Sequence, residues 1–205
     1  MPRAKTVVRA KRLRLAPEAR REVILGAAED VFAQAGFAGA SMDEVARRAG
    51  ITKPVIYDHF DTKAALFFAT AERVRDELLA AGNAVRVPGE PQISLKASIH
   101  AFFEFVERRP NGVRVLFVVP RSDPVAAQAA AAVQEQARKA IVAALAPLMR
   151  GRKHWEKDAT ALFIQKGLHA LAEAWLGGGG PPRARLADTA FALIWHGLNP
   201  GAARS

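Results

Sequence analysis

Ser41, Thr52, Lys53, Pro54, Val55, Tyr57, His59 and Lys63 lie within 23 consecutive residues, a set of hydrogen-bond donors mixed with one phenol and one branched apolar side chain. Such a set suits contact with a nucleic-acid groove and the phosphates that border it. Lys53 can donate to guanine O6 and N7, and Val55 can pack on a thymine methyl. Tyr57, His59, Thr52, Ser41 and Lys63 have the reach and the donors for phosphates, which fix register without reading sequence. Plainer uses compete with these. Ser41 and Thr52 could do no more than cap helices, and Tyr57 could be a core ring with a wet hydroxyl.

Side chains of this kind need rigid carriers, and the capping residues mark them. Ser41 followed by Glu44 has the spacing of a capping box. Arg47 and Arg48 fall in the last turn, where cations oppose the helix dipole. Gly50 supplies a left-handed stop and Ile51 the apolar residue after it. Thr52 starts a second helix, in whose first turn Pro54 is tolerated, and Thr62 starts a third at Lys63. Ile56 and Phe60, four apart, face the core and leave Lys53, Val55, Tyr57 and His59 outward. A short helix, a tight turn and an outward basic-aromatic helix form the layout of a helix-turn-helix DNA reader. Upstream, two apolar rows (Val23, Ala27, Val31 and Ile24, Ala28, Phe32) predict a helix over 17–35. Pro17 opens it and Gly36 closes it in a Schellman pattern, with Phe37 placed to touch Phe32. Residues 17–63 are expected to form one three-helix module.

Residues 17–68 resemble the N-terminal DNA-binding domain of the tetracycline-repressor (TetR) family of bacterial regulators. Ala28, Phe32, Gly36 and Phe37 carry the likeness, as do Ser41-Met42-Asp43-Glu44-Val45-Ala46 and Ala49-Gly50-Ile51-Thr52-Lys53. Ile56, Tyr57, His59, Phe60, Lys63 and Leu66 extend it. Pro54 departs from the family pattern, which usually has a small, flexible residue there. In family members the matching tyrosine, the aromatic or histidine two residues later and the lysine opening the next helix commonly touch backbone phosphates. The resemblance implies an all-α fold in which a C-terminal domain, residues 64–205, binds a small molecule and pairs with a second copy.

The chain has 205 residues and a net charge of +10. That is long enough for one or two domains with a sizeable core, and it suits a polyanionic partner. Residues 1–21 hold Arg3, Lys5, Arg9, Lys11, Arg12, Arg14, Arg20 and Arg21 against Glu18 alone. The stretch 1–16 is either a solvated tail or an arm that neutralises phosphates or enters a minor groove beside the reader. The absence of cysteine removes disulfide and thiolate chemistry. Glu29 and Asp30 interrupt the apolar run after Arg20-Arg21, and no run is long enough to span a membrane. A cytoplasmic protein with no membrane partner is expected.

Beyond the module the pattern stays helical. A linking helix is expected over 63–81, stopped by Gly82-Asn83. The next covers 92–108, with Leu95, Ile99, Phe102, Phe103 and Val106 on one face. An apolar piece over 112–119, bracketed by Pro110 and Pro120, would also suit a buried strand, but its context favours helix. An alanine-rich helix over 124–150 bends or ends at Pro147. Two last helices cover 155–176 and 183–198, and both are apolar on nearly every side. Leu168, Leu171 and Trp175 make that face in the first, and Ala190, Leu193 and Ile194 in the second. A helix apolar all round must be buried all round. A two-fold dimer joining these helices as a four-helix bundle would achieve that. An internal pair packed on 63–81 and 124–150 is the alternative.

The family resemblance also implies a pocket for a small hydrophobic effector between the helices over 92–108, 112–119, 124–150 and 155–176. Its candidate walls are Phe102, Phe103, Val106, Leu116, Phe117 and Ile164, with the alanines of 129–132 leaving space. His100, Gln165 and His169 are its candidate polar contacts.

Catalytic, cofactor and metal constellations are missing from the sequence. No two of His59, His100, His154, His169 and His196 stand three to five residues apart, as on a zinc-binding helix. His154 with Asp158 and His169 with Glu173 are single i,i+4 pairs of the helix-surface kind. There is no G-x-S-x-G, and the glycines at 177–180 lack the lysine and threonine of a phosphate-cradling loop. A non-enzymatic homodimer that binds a double-stranded DNA operator is expected, a repressor released by its effector. The alternative is a basic architectural protein with little sequence preference and no effector. Deleting residues 1–14 removes six cations and should lower DNA affinity. It should also flatten the slope of log K against log salt by about 0.9 for every phosphate no longer neutralised. An unchanged slope would make these residues a solvated tail.

Overall fold

Capping side chains and positive-φ glycines cut the chain into helices in the computed structural model, which describes residues 16–119 and 123–198. The elements are α1 (Pro17–Gly39), α2 (Met42–Ala49), α3 (Lys53–His59), α4 (Lys63–Ala84) and α5 (Pro91–Arg108). There follow α6 (Pro110–Val113), continued by a π-helical turn over Arg114–Val118, and α7 (Pro124–Leu145), closed by a 3₁₀ turn over Ala146–Met149. Last come α8 (His154–Leu176) and α9 (Arg183–Leu198). No strand occurs among the described residues. The fold is all-α, a helix-turn-helix unit followed by a helical domain. Residues 1–15 of the expected arm over 1–16, and Pro120, lie outside the described residues.

Local chemistry accounts for most boundaries. Ser41 Oγ accepts the Glu44 N–H at 3.1 Å. The Glu44 carboxylate turns to Arg47 at 2.6 and 2.9 Å, so an ion pair replaces the second half of the capping box. Gly50 sits at φ 67° and ψ 29°. Its N–H reaches Arg47 O at 3.2 Å while the Ile51 N–H reaches Ala46 O at 3.0 Å, a Schellman stop. Thr62 Oγ1 accepts the Ala65 N–H at 3.0 Å. Thr52 occupies the N-cap of α3, yet its hydroxyl makes no capping bond.

Two boundaries differ from the sequence expectation, and a third segment keeps the helical state expected of it. Gly36 has φ 69° but ψ 178°; the chain leaves it extended rather than left-handed, and one further turn runs to Gly39. Helix α4 continues through Gly82 and Asn83 to Ala84, because a helical glycine costs only about 1 kcal/mol and Ser98 Oγ donates to Gly82 O at 3.1 Å. The apolar piece over 112–119 is helical, with Pro110 in its first turn, where a missing amide donor costs nothing.

Aromatic packing bolts the reader module to α4. Phe32 stacks on Phe37 with ring centroids 6.0 Å apart, and Phe67 meets both edge-on at 5.1 and 5.5 Å. Helix α4 then packs on α5 and α7, α7 on α8, and α5 on α9. Ionic contacts hold the junction between module and bundle. The Glu29 carboxylate of α1 is buried and accepts from Arg73 of α4 and from Arg109 at the α5–α6 turn, each at 2.6 Å. Arg109 also pairs with Glu77 of α4. Asn111 Nδ2 donates to Asp30 Oδ1 at 2.9 Å. Removing one partner of a buried ion pair strands the others' charge. Glu29→Ala should therefore lower unfolding free energy by about 3 kcal/mol in urea titration, the low end of the usual range because Arg109 is one-third exposed. A change within experimental error would show that water already screens the junction.

Candidate nucleic-acid interface and cavity

Ile56 and Phe60 are buried and fix the roll of α3. Thr52, Lys53, Pro54 and Tyr57 are consequently exposed, and Val55 and His59 are half-buried. Tyr57 shows 41 % of its surface. Ser41 is exposed as well; its oxygen accepts the capping bond and its hydroxyl proton stays available to donate. Lys53 Nζ lies 3.0 Å from Asp43 Oδ1 and 3.1 Å from Oδ2 on α2, and this hydrogen bond and charge hold its pKa above the ordinary lysine value. A base edge must compete with Asp43 for that ammonium.

Lys63 is differently committed. Its Nζ donates to Ala38 O at 3.3 Å and Ala40 O at 3.1 Å and stands 4.6 Å from the centre of the Phe37 ring. Two of its three protons clamp the α1–α2 connection, which leaves one for a phosphate. Arg21 joins the group as a cation that local periodicity did not single out for contact. Its guanidinium lies 5.3 Å from the centre of the Phe60 ring, which fixes a positive charge at the C-terminal end of α3. Arg47 is 72 % exposed despite its pairing with Glu44.

A cavity of about 820 Å³ opens between α4, α5, α7, α8 and the loop over 85–90. Of the expected walls, Phe102, Ile164, Gln165 and His169 line it. Phe103 and Val106 are fully buried in the core instead, and Leu116 and Phe117 sit on the π-turn behind the wall. Phe117 stacks on His169 with ring centroids 3.6 Å apart. His100 turns to α9, its Nε2 lying 3.0 Å from Asp188 Oδ1. The alanines at the cavity are Ala137, Ala140 and Ala144 rather than those of 129–132.

Leu78, Leu79, Gly82 and Asn83 complete the wall; ending α4 at residue 81 had hidden its last turn. The exposed Arg86, Glu90 and Arg150 mark the open side. Burial, aided by the Lys166 charge, pushes the His169 pKa down to about 3. Its imidazole is neutral at physiological pH and offers a hydrogen bond but no charge.

On α8 an exposed stripe runs through Trp155, Ala159, Phe163, Gly167, Ala170 and Ala174. Trp155 is 64 % exposed, Phe163 77 % and, on α9, Leu193 70 %. The other residues expected at a pairing face are used within the subunit. Ala190 is buried, and Leu168 lines the cavity. Trp175 donates its indole N–H to Pro181 O at 3.0 Å and packs where a side chain on Gly180 would stand. Leu171 and Ile194 pack partly against the subunit's own core. Among the described residues no group of three His, Cys, Asp or Glu could hold a metal ion, and no helix is long and apolar enough to cross a membrane.

Comparison with known proteins places these features. The family model for bacterial regulatory proteins, tetR family, matches residues 24–70. The chain is 33% identical over 192 residues to the HTH-type transcriptional activator FasR of Mycolicibacterium smegmatis, covering 91% of this chain and 86% of FasR. It is 31% identical to the HTH-type transcriptional repressor BepR of Brucella suis, over 75% of this chain and 66% of BepR. A TetR-like transcriptional regulator from Rhodococcus sp. RHA1 superposes with a TM-score of 0.74 at 27% identity, covering 90% of this chain and 98% of that one. The regulator FadR from Bacillus subtilis, solved in complex with stearoyl-CoA, shares the fold with a TM-score of 0.74 at 14% identity, over 84% and 96% of the two chains.

Contacts to bases and to phosphates separate in mutational tests. Tyr57→Ala should weaken DNA binding alike for all sequences. Lys53→Ala should cost about 1–3 kcal/mol and relax preference at one half-site position, measured by competition with point-mutated duplexes. A Lys53→Ala protein with wild-type affinity and preference would take that side chain out of the groove.

Proposed function

The chain belongs to the tetR family of bacterial regulatory proteins, and we propose that it acts as a homodimer reading an inverted-repeat operator and releasing it when a small hydrophobic molecule fills the cavity. It is a DNA-binding transcriptional regulator, not an enzyme. One observation carries the proposal: α4 serves both ends of the molecule. Its Leu66 and Phe67 are fully buried in the continuous core that reaches the reader module, while its Leu78, Leu79 and Gly82 wall the cavity. A ligand that moves the last turns of α4 therefore acts on the helix to which the reader is bolted. A purely architectural DNA binder has no use for such a cavity.

The apolar walls, the neutral His169 and a volume within the usual range for small-molecule sites favour a hydrophobic effector with at most a few polar contacts. The stearoyl-CoA in FadR is in keeping with that class. FasR is named an activator and BepR a repressor. What the effector controls here is operator occupancy, and occupancy represses wherever the operator overlaps a promoter. Two reader helices related by a two-fold axis would meet successive major grooves, and the exposed apolar residues of α8 and α9, Trp155, Phe163 and Leu193, support pairing through these two helices.

Leu193 is exposed in the subunit, so Leu193→Arg should leave each chain folded while placing a charge in the pairing seam. Sedimentation should show a dimer for wild type and a monomer for the variant, with operator affinity lowered by about 100-fold or more, equivalent to about 2.7 kcal/mol. A wild type that is monomeric at micromolar concentration would sink the dimer. Stearoyl-CoA, used as a probe, should raise the melting temperature and weaken operator binding, and the operator should weaken probe binding by the same factor. Ala140→Phe should abolish both responses.

A further inference from the structure

We infer that Asp43 and Lys53 read one G·C base pair together, the carboxylate of α2 taking the cytosine amine while the ammonium of α3 takes the guanine edge. This rests on α3 being the DNA reader, and it adds a base-reading residue on the helix in front of it. The two side chains already stand as a unit. Lys53 Nζ is 3.0 Å from Asp43 Oδ1 and 3.1 Å from Oδ2, and both side chains are more than half exposed. Their carriers are fixed. Ser41 caps α2 two residues before Asp43, and the left-handed stop at Gly50 sets the turn that leads to Lys53.

An ammonium has three donors and a carboxylate about four lone-pair sites, so each keeps capacity after meeting the other. The pair therefore presents a donor beside an acceptor, one hydrogen-bond length apart. In the major groove a G·C pair presents guanine N7 and O6 as acceptors, followed by the cytosine N4 amine as a donor. O6 and N4 are hydrogen-bonded to each other, so they too stand about 2.9 Å apart. The two patterns match with the ion pair intact. Lys53 donates to O6 and N7, and Asp43 accepts the N4 proton that faces the groove. The contest between Asp43 and the base for the ammonium then ends with both served.

Other base pairs fail this match. C·G sets the cytosine amine against the ammonium and guanine O6 against the carboxylate. A·T does the same with the adenine N6 amine and thymine O4. T·A is the nearest rival, because O4 faces Lys53 and the N6 amine faces Asp43. It still puts a methyl group beside the ammonium where guanine has N7, and adenine N7 beside the carboxylate, acceptor against acceptor. A lone lysine would accept any of these acceptors; the carboxylate supplies the rejection. Its charge also repels phosphates at every sequence, a cost that only a matched base pair offsets.

The full-length protein is tested on duplexes that it selects from a random pool. One position of each half-site should be G·C, and exchanging it for T·A should lower wild-type affinity by about 5-fold or more. N4-methylcytosine at that position keeps the Watson–Crick proton and replaces the groove-facing one, and it should weaken wild type by as much. Asp43→Ala should lose both discriminations yet bind random-sequence DNA more tightly than wild type, because a negative charge has left the surface. Combined with Lys53→Ala, the losses of preference should not add. The methylated duplex needs only wild-type protein and decides alone if the variant does not fold. An Asp43→Ala protein that binds matched and random duplexes more tightly by one factor, its preference intact, would make Asp43 a mere neutraliser of Lys53 and overturn the inference. Wild type indifferent to N4-methylcytosine would overturn it too. Either result in an enriched pool sinks the paired reading alone, whereas a pool without enrichment sinks the reader assignment itself.

Discussion

The Glu29 carboxylate stands where α1, α4 and the start of α6 meet, and the rest of the molecule is arranged around keeping it charged in a buried place. An ionised carboxylate removed from water is stable only with matched cations, so Arg73 and Arg109 must both be present and both in position. Arg73 reaches further, to Glu22 at 3.5 Å and Glu77 at 4.0 Å, while its Nε is buried without a hydrogen-bond partner. The junction is therefore directional. It sets the angle at which the three-helix module leaves the bundle, and a small change in that angle repositions α3 relative to its copy in a dimer. Apolar packing alone, as between Phe32, Phe37 and Phe67, would hold the parts together but would tolerate sliding.

A similar economy marks the proposed DNA-facing surface. Lys53 and Lys63 are not loose charges awaiting a polyanion; Asp43 holds one and the carbonyls of Ala38 and Ala40 hold the other. Pre-placed cations lose little conformational freedom on binding, which favours affinity. Lys53 must release Asp43 or bring it along, which favours bases that reward the exchange. With Asp58 exposed on α3, that helix carries little net charge of its own. In the proposed DNA complex, nonspecific attraction would come from Arg20, Arg21, Arg47 and Arg48, joined by the basic stretch ahead of α1 if its deletion flattens the salt slope.

The legible parts of the fold were those decided within one or two turns. Ser41, Gly50 and Thr62 mark helix ends through contacts at most five residues away, and Ile56 with Phe60 set the outward face of α3 by spacing alone. The illegible parts were decided across the fold. Thr52 has the right type for a cap but makes no capping bond. Gly82 looks like a stop, yet Ser98, sixteen residues on, satisfies its carbonyl. The all-round apolar character of α8 and α9 is real, but it does not say which side meets what. Leu168 faces the cavity, Trp175 closes a turn, and Ala190 is buried inside the subunit. His100 illustrates the same limit, because its partner Asp188 is 88 residues away.

Selection of preferred duplexes by the purified protein from a random-sequence pool tests the central claim most directly. A dimeric reader should enrich an inverted repeat whose half-site centres lie about 10–10.5 base pairs apart or a multiple of that spacing, with each half-site matched to one α3. A pool recovered without sequence enrichment, bound in proportion to its phosphates alone, would contradict sequence-specific reading and leave a basic helical protein that coats DNA.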